Sequence, residues 1–264
     1  MNKASHLLLA TVALLCLFAA ACGSDSTAAT ATTAADSTTV SGEIVVFAAS
    51  SLTGAFTEIG DAFTTANPDA KVTFSFAASS ELVTQIDQGA PADVFASADM
   101  KNMTKLSDKS EIAGEPTVFA TNMLQIMVGS GNPKGIAGVE DLANQDLIVV
   151  ACDPEVPCGK YTTQLFTNAD VAVTPKSLEQ NVKAVVTKVT SGEADAGIVY
   201  ITDVLAAGDK AAGVDIPADV NVKAEYPIGV TAAAPNASGA QAFVDFVNSA
   251  EGRKILTSFG FGAP

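Results

Sequence analysis

The stretch that most constrains the fold runs from residue 43 to residue 97, where the spacing of apolar residues switches repeatedly between strand-like and helical. Residues 43–49 (E-I-V-V-F-A-A) are apolar and β-branched, which predicts a buried strand. Leu52, Ala55, Phe56, Ile59, Ala62 and Phe63 then recur at helical spacing until Asn67-Pro68 stops the helix. Residues 71–76 predict a second strand. Leu82, Val83 and Ile86 mark a second helix, closed by Gly89 and Pro91, and residues 93–97 predict a third strand. A strand–helix–strand–helix–strand order is that of a parallel, doubly wound α/β sheet.

Both strand-to-helix joints in this stretch carry the same four residues, Ala-Ala-Ser-Ser. Ser50-Ser51 and Ser79-Ser80 each place hydroxyls and free backbone N–H groups at a helix N-terminus. A single serine at a helix start is ordinarily a cap contributing about 1 kcal/mol. Two such pairs at strand ends suggest more, because ligands of open α/β sheets gather there and small residues let the backbone approach them. Neutral donors with no carboxylate among them favour a fully ionised oxyanion.

Further along, residues 117–129 form a long segment that can leave one lobe and enter another. Residues 147–151 predict a strand, followed by the loop 152–159 and a helix bearing Tyr161, Leu165 and Phe166. Val182, Val185, Val186 and Val189 make one apolar helical face that stops at Gly192. Residues 196–200 predict another strand, and residues 221–231 a return crossing. Two closing helices follow, around 242–247 and 253–259. No internal repeat is visible.

Charge and missing residue types exclude whole classes of function. The 264 residues carry 14 Lys plus Arg against 29 Asp plus Glu, a net charge of -15, which disfavours nucleic acid as a partner. The single histidine is His6, inside a segment expected to be removed on export. Without it the chain cannot run a Ser-His-Asp or Cys-His mechanism, and it lacks the commonest transition-metal ligand. The expectation is a binding protein and not an enzyme, with no direct metal-ion ligands and no cofactor.

Residues 1–22 read as an export signal. Lys3 opens it, and an uncharged run over 7–21 is short of the ~20 residues a membrane span needs. The run ends A-A-A-C-G and resembles the lipobox of bacterial lipoproteins, with Cys22 as the acylated residue. Ala19 stands where leucine is commoner. Residues 23–41 are nearly all Ser, Thr and Ala and read as a disordered tether. The protein is therefore expected outside the cytoplasm, held to the cell membrane by a lipid anchor. In that oxidising setting Cys152 and Cys158, six positions apart, are expected to form a disulfide. A metal reading of the pair finds no histidine and no further soft ligands.

F-A-A-S-S-L-T, F-A-A-S-S-E-L, G-A-P-A-D-V-F-A-S-A-D, D-P-E-V-P-C-G-K-Y, G-I-V-Y and E-Y-P-I follow one another in this order across residues 43–264. The ordered set resembles the molybdate-binding proteins of ABC importers. The resemblance implies a two-lobed periplasmic-binding-protein fold, type II-like, each lobe a mostly parallel sheet flanked by helices, with the ligand in the inter-lobe cleft. Lobe 1 would be residues 43–121 and 229–264, and lobe 2 residues 122–228. It further implies that Ser51, Ser79 and Tyr200 donate hydroxyls to the anion and that Cys158 and Val182 donate backbone N–H groups, with Ser50 and Ser80 in support. D-P-E-V-P-C-G is one residue shorter than the family's D-P-E-x-V-P-A-G and has cysteine in place of alanine. The implied function is capture of molybdate, and of tungstate with it, for an ABC permease and its ATPase, by a monomer. The alternatives are another oxyanion such as sulfate or phosphate, or a surface adhesin or sensor without transport.

Overall fold

The computed structural model describes residues 39–264, and the export signal, Cys22 and all but the last residues of the tether lie outside them. The described chain folds as one compact unit. Val40 packs against the hydrophobic core and the Ser41 carbonyl accepts a bond from Asn236 Nδ2, 2.9 Å, so the fold takes in the chain just before the first strand.

The first units follow the period changes in the sequence. Strand β1 (Gly42–Ala49) leads through a 3-10 turn (Ser50–Leu52) into helix α1 (Thr53–Ala66), β2 (Ala70–Ala77) into α2 (Ser79–Asp87), and β3 (Val94–Ala96) into α3 (Met100–Ser107). β1 pairs in parallel with β2 on one side and β3 on the other. Side chains alternate across β1, as a strand's period of two requires. Ile44, Val46 and Ala48 join the core with Phe56, Ile59 and Phe63 of α1, while Phe47 joins Leu82 and Val83 of α2 and Met103 and Leu106 of α3. Both faces of this sheet are therefore covered by helices.

β4 (Ile112–Gly129) is an 18-residue strand, longer than the 117–129 segment expected because the ladder begins at Ile112. A 3-10 turn (Glu140–Ala143) precedes β5 (Val149–Cys152), α4 (Pro157–Asn168), β6 (Ser177–Glu179), α5 (Val182–Thr190), β7 (Ala196–Tyr200) and α6 (Ile201–Ala207). β8 (Ala211–Val214), β9 (Lys223–Thr231), α7 (Ala237–Asn248) and α8 (Ala250–Ser258) complete the chain. β5 pairs in parallel with β6 and β7, giving a second parallel set like the first.

The strand order is β2-β1-β3-β9-β4-β7-β5-β6, with β8 also on β4. β4 and β9 join the two parallel sets, entering antiparallel to their neighbours, which strand–helix alternation alone does not predict. β4 pairs with β9 over Ile112–Met123 and then with β7 and β8 over Leu124–Gly129. β9 in turn reaches β3 through Ile228–Val230.

Asp93, buried at the start of β3, ties three segments together. Its carboxylate accepts from Val45 N–H at 2.8 Å and from Asn236 N–H at 2.6 Å, locking β1 and the start of α7 to β3. Around α1, Phe56, Phe63, Phe74 and Phe243 pack edge-to-face with centroids 5.4–6.3 Å apart, a favoured aromatic geometry.

Candidate functional site

The C-terminal ends of both parallel sets face one small pocket. Ser50 and Ser51 reach it from the end of β1, Ala78 and Ser79 from the end of β2, and Ala98 from the end of β3. From the other set come Pro157 and Cys158 at the start of α4, Asn181 and Val182 at the start of α5, and Tyr200 at the end of β7. The centre of a water-sized sphere has about 10 Å³ in which to move, room for about one such sphere. No charged side chain lines the pocket. A larger groove of about 610 Å³ runs along α4 past Phe166, Val173 and Leu178, but it brings no comparable set of donors together.

Each wall is a helix start. The starts of the Ser50–Leu52 turn, of α2 and of α4 have no side-chain cap, so no side-chain oxygen closes them off. Pro157 opens α4, where its missing N–H costs nothing, and Cys158 follows as the first residue able to donate. α5 is capped by Asn181, whose Oδ1 accepts from Ala184 N–H at 3.1 Å, two residues beyond Val182. Aligned peptide dipoles put partial positive charge at such starts, and several aimed at one point favour an anion there.

Three hydroxyls complete the set. Ser79 is 1% exposed, and its Oγ accepts from Ala98 N–H at 3.0 Å, which leaves its own proton free to donate. Ser51 Oγ lies 3.0 Å from Tyr226 Oη. The Tyr200 hydroxyl is buried and has no hydrogen-bond partner. Burial drives the Tyr200 pKa well above its ordinary value, so the group stays a donor. The Tyr200 backbone is held from behind: its N–H donates to Asp203 Oδ2 at 3.1 Å, and Asp203 pairs with Lys183 at 2.8 Å. Burial raises the Asp203 pKa against the opposing pull of Lys183.

Cys152 and Cys158 are bonded to each other across the loop that ends β5 and begins α4. Val156 N–H donates to Asp153 O at 3.0 Å, closing a turn within the loop. The loop folds back so tightly that a Cβ on Gly159 would fall 1.9 Å from Asp153 O, so the residue after Cys158 has to be glycine. The shortened loop thus still delivers Cys158 to the pocket.

The structure therefore brings together Ser51, Ser79, Cys158, Val182, Tyr200 and Ser50 around one space. Ser80, one residue further into α2, does not line it. Asn181 lines it and was legible as a helix cap, an asparagine just before the valine-faced helix. Tyr226, the tyrosine of E-Y-P-I, carries no assigned role in the sequence reading. It sits behind Ser51, 175 residues away in the chain, and no local spacing announces that contact. Among the described residues no three His, Cys, Asp or Glu side chains converge to hold a metal ion, and no helix is long and apolar enough to cross a membrane.

The model of the bacterial extracellular solute-binding proteins matches residues 44–262. The chain is 43% identical over 244 residues to the molybdate-binding protein ModA of Mycobacterium tuberculosis, covering 92% of each chain. It is 32% identical over 230 residues to ModA of Escherichia coli, covering 83% of this chain and 89% of that one. Among solved structures, the periplasmic molybdate-binding protein of Azotobacter vinelandii aligns with a TM-score of 0.74 at 22% identity, over 84% of this chain and 99% of the other. The sulfate-binding protein SubI of M. tuberculosis aligns with a TM-score of 0.76 at 19% identity, over 83% and 86%. At those identities the structural likeness is one of fold, the two-lobed α/β fold of periplasmic binding proteins. With the model spanning most of the sequence, the chain belongs to the bacterial extracellular solute-binding proteins.

Proposed function

We propose that the protein captures molybdate outside the cell, with tungstate as an equivalent ligand of the same charge and nearly the same size, and delivers it to an ABC permease. The observation that carries the reading is the Tyr200 hydroxyl, fully buried, without a partner, and lining the same pocket as four helix starts. A buried polar group left unpaired is costly, and a bound acceptor relieves that cost. The 43% identity to a molybdate-binding protein across almost the whole chain points to the same ligand.

In this reading Ser51, Ser79 and Tyr200 donate O–H groups and Cys158 and Val182 donate N–H groups. Residues 43–121 with 229–264 form one lobe and 122–228 the other, joined where β4 and β9 cross. The anion then bonds to both lobes at once and binds the closed arrangement better than the open one, the condition for a ligand to drive closure. Each hydrogen bond to the charged ligand contributes roughly 1.5–3 kcal/mol. Because the donors are neutral and fixed, size selects the anion. A protonated phosphate finds no acceptor for its hydrogen. Binding and release involve no covalent step and no cofactor, and molybdate is cargo. The chain acts as a monomer, tethered through residues 23–41 to an acylated Cys22.

The test is a double substitution. Ser79→Ala with Tyr200→Phe removes one hydroxyl from each lobe and is expected to weaken molybdate binding at least ~100-fold, while the melting temperature of the ligand-free protein changes little because stranding the Ala98 N–H is offset by removing the unpaired Tyr200 hydroxyl. Undiminished affinity by calorimetry would show that the anion binds elsewhere.

A further inference from the structure

We infer that Tyr226 is a positioning residue for the anion site: its hydroxyl donates to Ser51 Oγ from behind and thereby commits the Ser51 proton to the ligand. The inference rests on the proposed oxyanion site and adds to it a residue that does not touch the ligand, since Tyr226 does not line the pocket.

A serine hydroxyl is both donor and acceptor, and one left free can turn lone pairs toward an anion as readily as its proton. At Ser79 the structure removes that freedom. Ala98 N–H, which can only donate, occupies the Ser79 oxygen at 3.0 Å and leaves the Ser79 proton as the group available to the pocket. Ser51 has no backbone N–H in that place. Its oxygen instead meets Tyr226 Oη at 3.0 Å. Of the two directions this bond can take, Tyr226 to Ser51 reproduces the Ala98-to-Ser79 arrangement. The reverse would spend the Ser51 proton away from the pocket.

The surroundings of Tyr226 favour the donating direction. The residue is 0% exposed, and its ring is fixed by edge-to-face contacts with Phe119, Tyr200 and Phe261, centroids 6.3, 6.0 and 5.4 Å away. Burial raises its pKa far above the ordinary phenol value, partly offset by the Ser51 bond, so the phenol keeps its proton. The neighbouring Asn122 amide is occupied elsewhere, its Oδ1 accepting from Met123 N–H at 3.0 Å and its Nδ2 donating to Thr202 Oγ1 at 2.9 Å, so Ser51 Oγ is the one hydrogen-bond partner of the Tyr226 hydroxyl among the described residues. With no other acceptor in reach, the Tyr226 proton goes to Ser51 and the Ser51 proton to the anion.

Tyr226 also has a particular place in the fold. It pairs with Ala120 on β4, next to an irregularity in the β4–β9 ladder, on the strand pair that links the two parallel sets. Its ring contacts Tyr200, the donor from the other set. A single side chain thus fixes one hydroxyl by hydrogen bonding and packs against the second.

A double-mutant cycle on molybdate affinity, using the whole exported protein, tests the inference. Tyr226→Phe keeps the ring and its packing and removes only the hydroxyl. It is expected to raise the molybdate Kd about tenfold, as loss of one ordered hydrogen bond would, but to change it less than twofold in a Ser51→Ala background. A second reading uses selectivity. With Ser51 free to turn and accept, Tyr226→Phe should narrow the ratio of phosphate to molybdate Kd, an effect that general loosening of the fold would not produce. The same Kd factor in both backgrounds, no factor in either, or an unchanged anion ratio overturns the inference while leaving the site intact. Undiminished affinity in Ser51→Ala alone would instead overturn the site, and the inference with it.

Discussion

In the proposed site Tyr200 and Tyr226 serve as neutral donors, and burial is what keeps them neutral. An exposed phenol loses its proton around pH 10.0, and both of these are pushed above that value chiefly by desolvation of the charged form. Affinity and stability should then respond differently to rising pH. Molybdate affinity should stay level as pH rises through 10, because the folded protein keeps both O–H donors. Stability should fall over the same range, since the unfolded chain releases phenolic protons that the folded chain retains. Calorimetric titration and thermal melts across pH 7–11 check both, and affinity that collapses near pH 10 with a titrating phenol would contradict the burial of these groups. The two serines differ in legibility. Ser51 and Ser79 stand out in the sequence because each follows an apolar strand and opens a helix. The groups that orient them, Ala98 and Tyr226, lie 19 and 175 residues away, and only the folded sheet brings them near.

Among the elements, the loop from β5 to α4 carries the departure from the family pattern, and its chemistry is local enough to test alone. The Cys152–Cys158 bond closes a short ring, for which chain-entropy reasoning gives about 2 kcal/mol. Reduction, or paired Cys152→Ser and Cys158→Ser, is expected to lower the melting temperature by ~4–8 °C and to weaken molybdate binding several-fold, because the Cys158 N–H loses its fixed position. Unchanged melting and unchanged affinity after complete reduction would show that the turn holds its shape without the bond. The parallel units were legible because their apolar periods are long and clean. α3 was not, because within M-K-N-M-T-K-L-S only Met103 and Leu106 are apolar side chains facing the core. α6 begins directly after Tyr200 with no turn residue between, so the sequence reads on from the strand. β8 is A-A-G-V, too small in side chain to announce a strand, and it forms through its ladder with β4.

For the whole molecule, the site exists only where the two parallel sets meet. Besides the pocket and the β4–β9 pair, one ion pair among the described residues joins them. Lys160 of α4 reaches within 3.6 Å of Asp99, the cap of α3, whose carboxylate also accepts from Asn102 N–H at 2.8 Å. The motif G-A-P-A-D-V-F-A-S-A-D thus serves the architecture at both of its aspartates, Asp93 joining β1, β3 and α7 and Asp99 capping α3 beside Lys160. The chain as a whole carries a net charge of -15 and no charged side chain lines the pocket, so under the proposed function local donors and not the overall field have to attract the anion. The most direct measurement is a calorimetric titration of the protein with molybdate, tungstate, sulfate and phosphate in turn. Tight, one-to-one binding of molybdate and tungstate, with sulfate and phosphate far weaker, is the predicted result. Tight binding of sulfate with none of molybdate would contradict it.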